Sequence, residues 1–294
     1  MEAANKIAII TDTCCDLPQE YLKEYPIFCV PLVVTSGTES YRDNIDITVE
    51  TIYARQKNEN FKTSLPRPQD IEDVYSAIAR QGYTHVIVLM IAECLSSANN
   101  LMRLAAEEHP ELTVKVFDSK SASIGLGALA VQVARYAVRG VAFDPLCELT
   151  KRLIDDTVVY FFAGYAGVPA ARRPHWPRHS AGGGTLQIKP ILTFDRKDGM
   201  ISTAAKVRGR RGVQQRLIEL ATELAAKHPG EEYNLVVCDG NVPEEGAALE
   251  AALTRTLPNA HRVLHGKIDA TLAVHLGPNL LGVGVQFLNS KLPA

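Results

Sequence analysis

Short apolar runs alternate with amphipathic stretches through the first half of this chain: "IAIIT" (7–11), "FCVPLVV" (28–34), "HVIVLMI" (85–91) and "TVKVF" (113–117). Runs rich in valine and isoleucine, with little polar alternation, are strands buried on both faces, the signature of a parallel sheet covered by helices. Helical periodicity falls between them, over Pro18–Tyr25, Val49–Lys57, Gln69–Gln81, Ser97–Glu108 and Ile124–Arg139. The expectation is a three-layer α/β/α unit. Open α/β sheets bind ligands beyond the carboxyl ends of their strands. That rule singles out the loops "TDTCCDLP" (11–18), "AECLSSANN" (92–100) and "DSKSASIGLG" (118–127).

From about Asp156 the texture changes. An apolar "VVYFFAGYAG" (158–167) precedes a stretch rich in proline, arginine and glycine, "VPAARRPHWPRHSAGGG" (168–184), that suits neither a helix nor a central strand. Strand-like "TLQIKPILTF" and "MISTAAKV" follow, joined by "DRKDG", whose Asp-Gly turn implies antiparallel pairing. A helix over Gly212–Lys227, a strand "YNLVVCD", a helix near Glu244–Thr256 and a β-rich end complete a second, mixed α/β layer. The expected division is 1–156 and 157–294.

A formal net charge of −2 gives no general attraction to nucleic acid or anionic lipid. The six cysteines form no CxxC pair and no zinc-ligand spacing, so neither a structural metal nor a cofactor is expected. "MEAANKIAII" fits neither a signal peptide nor an anchor, and "VIVLMIA" (86–92) is too short to span a bilayer. A soluble cytoplasmic protein with reduced thiols is the expectation.

"FKTSLPRPQD" (61–70) places two adjacent hydroxyls, Thr63 and Ser64, beside two prolines that stiffen the backbone. The residues read either as an oxygen-binding platform or as the end of a turn with Pro68 opening a helix. "GLGALA" (125–130) matches a loose dinucleotide pattern but stands too far from its strand, so close helix packing is the better reading. "GGGT" (182–185) lacks a P-loop lysine, and no GxSxG or HExxH occurs. Arginines cluster at Arg172-Arg173 and in "KVRGRRG" (206–212), read as a solvated face or a local anion site. His275 opens "HLGPNLLGVG" (275–284) within an apolar strand pattern, read as structural or as a head-group ligand.

Nine stretches taken in order resemble one family: "TDTCCDLP", "VPLVV" (30–34), "YRDNIDIT" (41–48), "KTSLPRP" (62–68), "CLSS" (94–97), "FDSKSASIGLG" (117–127), "LQIKPIL" (186–192), "DGMISTAAKVRG" (198–209) and "HLGPNLLGVG". The sequence is similar to the DegV family, bacterial proteins that bind a long-chain fatty acid. The resemblance implies an amino-terminal α/β/α domain with a parallel sheet, a carboxyl-terminal domain with a mixed sheet, and a ligand tunnel between them. It implies a ligand-binding rather than enzymatic protein.

By motif match, the carboxylate would be received by Thr63, Ser64 and Ser96, with Arg208 and His275 nearby from the second domain; Ser97 and Arg173 are the further candidates beside them. Hydroxyl donors and a helix N-terminus can hold a buried carboxylate without a metal. The ligand would be an acid of about C14–C18, its methylenes contributing roughly 0.8 kcal/mol each. In Gram-positive relatives such proteins present the acid to a separate fatty acid kinase for phospholipid synthesis. Two features depart from the family pattern. "AECLSSA" (92–98) has Ala92 and Glu93 in place of hydroxyls, Ser97 at a glycine position and Ala98 at a threonine position; "AARRP" stands where the family has Gly-Gly-Arg.

Two other functions remain open at this point. A nucleotide- or phosphate-dependent enzyme subunit using Gly125–Gly127 and the arginines would be stabilised against heat by a nucleotide. An interaction protein docking through Trp176 and its neighbouring arginines would lose its partner on Trp176→Ala while keeping lipid uptake.

Overall fold

The structure, a computed structural model, describes residues 6–164 and 188–288. Its first sheet is the expected parallel one. Strands β1 (Ile7–Asp12), β2 (Ile27–Val30), β6 (His85–Met90) and β7 (Thr113–Asp118) lie in the order β2-β1-β6-β7, every pair parallel. β1 and β6 carry the continuous apolar runs and are buried almost throughout, as central parallel strands must be. Helices α1 (Gln19–Glu24), α3 (Pro68–Arg80) and α4 (Ala98–Ala106) lie in the crossovers, and α5 (Ile124–Val138) follows the last strand, β7. Pro68 opens α3 at its first position, where its missing N–H costs no helical bond.

The run read as one strand over 28–34 is broken at Pro31, and its second half leaves the parallel sheet. β3 (Val33–Ser36) instead centres a small antiparallel sheet, order β4-β3-β5, with β4 (Glu39–Arg42) and β5 (Phe61–Ser64). Thr63 and Ser64 thus end a strand and do not form a loop. Helix α2 (Val49–Arg55) lies between β4 and β5 in the chain.

A further helix, α6 (Phe143–Asp155), precedes β8 (Thr157–Phe162). β8 joins β9 (Ile188–Phe194), β10 (Ile201–Arg208), β11 (Tyr233–Gly240), β12 (Arg262–Lys267) and β13 (Leu280–Phe287) in a mixed sheet of order β10-β9-β8-β13-β11-β12. The β9–β10 pair is antiparallel, with Gly199 at φ +69° in its turn, as the Asp-Gly signal implied. Only β11–β12 is parallel in this sheet. Helices α7 (Gly209–Ala226) and α8 (Pro243–Thr256) cover one face, where Val213, Leu217 and Leu253 are fully buried against Leu235 and Val237.

The other face meets the first half through α5, which touches β1 and β6 on one side and β8, β11 and β12 on the other. This helix is buried nearly all round. Its glycines permit that fit: a Cβ on Gly127 would lie 2.4 Å from the Cys15 carbonyl oxygen, and one on Gly125 would lie 2.5 Å from Ser121 Oγ. The "GLG" glycines therefore serve close packing.

The β-rich end contains one more helix, α9 (Ala270–Leu276), capped by Asp269, whose side chain accepts from Leu272 N–H at 2.6 Å. His275 sits in the last turn of this helix and not in a strand.

Candidate functional site

A cavity of about 650 Å³ opens between the parallel sheet's carboxyl edge, the small sheet and the inner face of the mixed sheet. Two of the three loops singled out by the α/β rule line it, through Ile91 and Cys94–Ser97 after β6 and through Ala122 and Ser123 after β7. The remaining wall is mostly apolar, with Leu32, Val159, Phe161, Phe194, Val236 and Leu272 among its residues.

The polar side chains of this wall come from several elements. Thr63 and Ser64 reach it from β5, Ser96 and Ser97 from the loop before α4, and His275 from α9. Thr63 Oγ1 lies 2.8 Å from His275 Nε2. When His275 donates through Nε2, the Thr63 hydroxyl keeps its proton for a ligand acceptor. Ser96 Oγ accepts from Ala98 N–H at 3.2 Å, so its O–H is likewise left to donate, beside the N-terminus of α4. Hydroxyl and imidazole groups on a mostly apolar wall suit a carboxylate or similar oxyanion whose remainder is hydrocarbon.

Of the sequence-identified residues, Thr63, Ser64, Ser96, Ser97 and His275 line the cavity, and Thr63 and His275 are in contact. Arg208 does not: it is exposed at the far end of β10 from Ile201, the strand residue that lines the cavity. Arg173 and the Trp176 segment lie outside the described residues. In the second arginine cluster, Arg210 is engaged with Glu245 at 2.7 Å and with the Asn279 carbonyl at 2.6 Å.

The loop after β1 does not reach the cavity, yet it holds the helix that does. Asp12, Asp16, Asp43 and Asp269 are all buried around the start of α9. Asp43 accepts from Ala270 N–H at 3.2 Å, from Thr271 N–H at 3.0 Å and from the Thr13 hydroxyl at 3.2 Å. Asp16 accepts from Asp269 N–H at 2.8 Å and from the Ser123 hydroxyl. Asp12 bridges Cys14 N–H and Ile91 N–H at 2.9 and 2.7 Å. Burial pushes the Asp12 carboxyl up to about 7 against the pull of these two N–H donors, and burial also raises Asp16 and Asp269. Sequence motifs contained Asp12, Asp16 and Asp43 without revealing this task, because their partners lie far along the chain.

Among the described residues no group of three or more His, Cys, Asp or Glu is arranged to hold a metal ion, and no helix is long and apolar enough to cross a membrane.

The family model described as "Uncharacterised protein, DegV family" matches residues 6–165 and 179–288. A DegV domain-containing protein of Clostridium acetobutylicum is 30% identical over 279 residues, covering 95% of this chain and 98% of the relative. Among solved structures, a DegV family protein of Thermus thermophilus, described as fatty acid binding, superposes with a TM-score of 0.85 at 25% identity, over 96% of this chain and 100% of the other. A stearic-acid-binding protein of Eubacterium ventriosum superposes with a TM-score of 0.84 at 26% identity, over 96% and 98% of the two chains. With a family match running from β1 to β13, and with a parallel and a mixed sheet arranged as in these structures, the chain belongs to the DegV family.

Proposed function

We propose that this protein binds a long-chain fatty acid without transforming it, with the carboxylate at Thr63, Ser64, Ser96, Ser97 and His275 and the acyl chain along the apolar wall. The observation that carries the reading is the make-up of the cavity wall: several hydroxyls and the Thr63–His275 pair in a lining otherwise mostly apolar. The fatty-acid ligands of the Thermus and Eubacterium proteins support it. Some fourteen methylenes at roughly 0.8 kcal/mol each set an upper limit of about 11 kcal/mol on the tail's contribution, before ordering costs. The head group then fixes direction more than strength.

Two finer points complete the reading. The units 1–156 and 157–294 act as two domains with the ligand between them. A separate kinase receives the carboxylate for phospholipid synthesis, a step that rests on the family resemblance and is tested by adding a fatty acid kinase and ATP to the loaded protein and following acyl phosphate. The binding reading is tested by titrating delipidated protein with palmitic acid. Saturable uptake at one site per chain supports it, and failure to take up any acid of about C14–C18 length overturns it.

A further inference from the structure

Arg135 stands in the last turn of α5 and is only 7% exposed. Its guanidinium meets neutral partners: one terminal nitrogen donates to Gln132 Oε1 at 3.2 Å, and the other lies 3.5 Å from His261 Nε2. Arg139 follows one turn later, exposed at the helix end, and the half-buried Arg262 stands next to the exposed His261 at the start of β12. The ion-paired arginines of the described residues are Arg42, Arg55, Arg103, Arg210 and Arg216, so none of these three has a carboxylate partner there. A guanidinium withdrawn from water is ordinarily compensated by an anion, because its desolvation cost otherwise stands alone.

Nothing close at hand supplies that anion. Burial holds Arg135 below its ordinary pKa, and Arg262 and Arg139 push it the same way. The groups that act in the opposite direction are the phenols Tyr25 and Tyr136. Burial raises both phenols, so neither is charged at neutral pH. The carbonyl end of α5 carries about half a negative charge, which offsets less than one of three guanidiniums. The place is also a junction of the two halves: Tyr25 leads into β2, the edge of the parallel sheet, Arg262 opens β12, the edge of the mixed sheet, and α5 packs on both strands. It is separate from the cavity, which α5 lines through Gly125, about 15 Å of helix rise from Arg135.

We propose that Arg135, Arg139 and Arg262 form a binding site for a phosphate group, carried by a free phosphate ester or by a lipid head group. The guanidinium fork matches phosphate oxygens two at a time, and several fixed cations favour a doubly charged anion over a singly charged one. The outer two arginines meet the solvent, and the charge of Arg135 beneath them adds to the field that an arriving anion feels.

The test uses the purified full-length protein and calorimetric titration with inorganic phosphate, glycerol 3-phosphate and, as a singly charged control, acetate. Co-sedimentation with phosphatidylcholine vesicles, with and without phosphatidic acid, forms a separate arm. The expected result is saturable binding of a phosphate probe at one site per chain, weakened by added salt, with no binding of acetate. Uptake of glycerol 3-phosphate identifies a free ester as the source, and retention by phosphatidic acid vesicles alone identifies a head group. Arg135→Met, which removes the charge and keeps most of the side chain's volume, is expected to weaken that binding roughly ten-fold or more. Its thermal stability should be equal or higher, since an uncompensated buried charge is removed. Arg139→Gln, at an exposed position, should weaken phosphate binding without touching the fold, and both variants should take up palmitic acid as the wild type does. A wild type that binds no phosphate probe, or that binds acetate equally well, overturns the assignment. So does phosphate binding that survives both substitutions.

Discussion

Thr63 Oγ1 and His275 Nε2 lie 2.8 Å apart, although 212 residues separate them in the chain. One is the penultimate residue of a strand of the small antiparallel sheet and the other the penultimate residue of a helix of the carboxyl-terminal half. The contact ties the two halves together at the cavity wall. Replacing Thr63 by Val or His275 by Ala is expected to weaken fatty-acid binding about ten-fold each, as loss of one hydrogen bond to a charged group does. The double variant should lose less than the product of the two, because the residues share one network. Titration calorimetry of the four proteins checks this, and full additivity would separate the two residues functionally.

His275 is in place because α9 is in place, and α9 starts on Asp43. Asp43→Ala leaves two backbone N–H groups and the Thr13 hydroxyl without their acceptor in a buried site. The expected loss is about 2–4 kcal/mol of unfolding free energy. Denaturant unfolding measures it, and a loss below about 1 kcal/mol would mean that α9 finds another anchor.

Stability should fall as pH rises from 5 to 8. Burial lifts Asp12 from 3.8 to about 7, and it raises Asp16 and Asp269 as well, so the folded state holds protons that the unfolded chain has released. A carboxyl raised in this way contributes fully below its unfolded value and loses that contribution as pH passes its folded value. Over that window the Asp12 share is at most ~3 kcal/mol. His265 works in the same direction, raised first by its hydrogen bond to Asp239. Thermal unfolding at the two pH values is the check, and Asp12→Asn should flatten the slope. Higher stability at pH 8 would contradict the buried-carboxyl picture.

Gly127→Ala tests the role of the "GLG" segment. Alanine gains about 1 kcal/mol of helix propensity over glycine, yet its Cβ would sit 2.4 Å from a backbone oxygen, where nothing flexible can yield. The expected outcome is a net loss of about 1–3 kcal/mol, the range for overpacking a core. Nucleotides should leave the melting temperature of the wild type unchanged. Heat stabilisation by a nucleotide would revive the enzyme reading.

The strands of the parallel sheet were legible because central strands need continuous apolar runs, and β1 and β6 have them. The β9–β10 hairpin was legible from its Asp-Gly turn. The small sheet was not: β4 and β5 have four residues each and half-exposed polar faces, with no period long enough to register. Helix α9 escaped because its burial on nearly every side removes the polar stripe that marks an amphipathic helix. Only Asp269 as a cap and Gly277 after the last turn betray it. The cavity-lining positions Thr63, Ser64, Ser96, Ser97 and His275 followed from family motifs, residue by residue. The carboxylates that hold α9 did not, since Asp16 and the Asp269 N–H it accepts from are 253 residues apart and no local pattern joins them.

The most direct test of the fatty-acid reading is mass spectrometry of the purified protein, first native and then denatured with organic extraction of what it releases. The expected result is one long-chain fatty acid per chain, lost on denaturation and regained when the delipidated protein meets excess acid. A protein that carries no lipid and gains no mass from excess acid would contradict the reading.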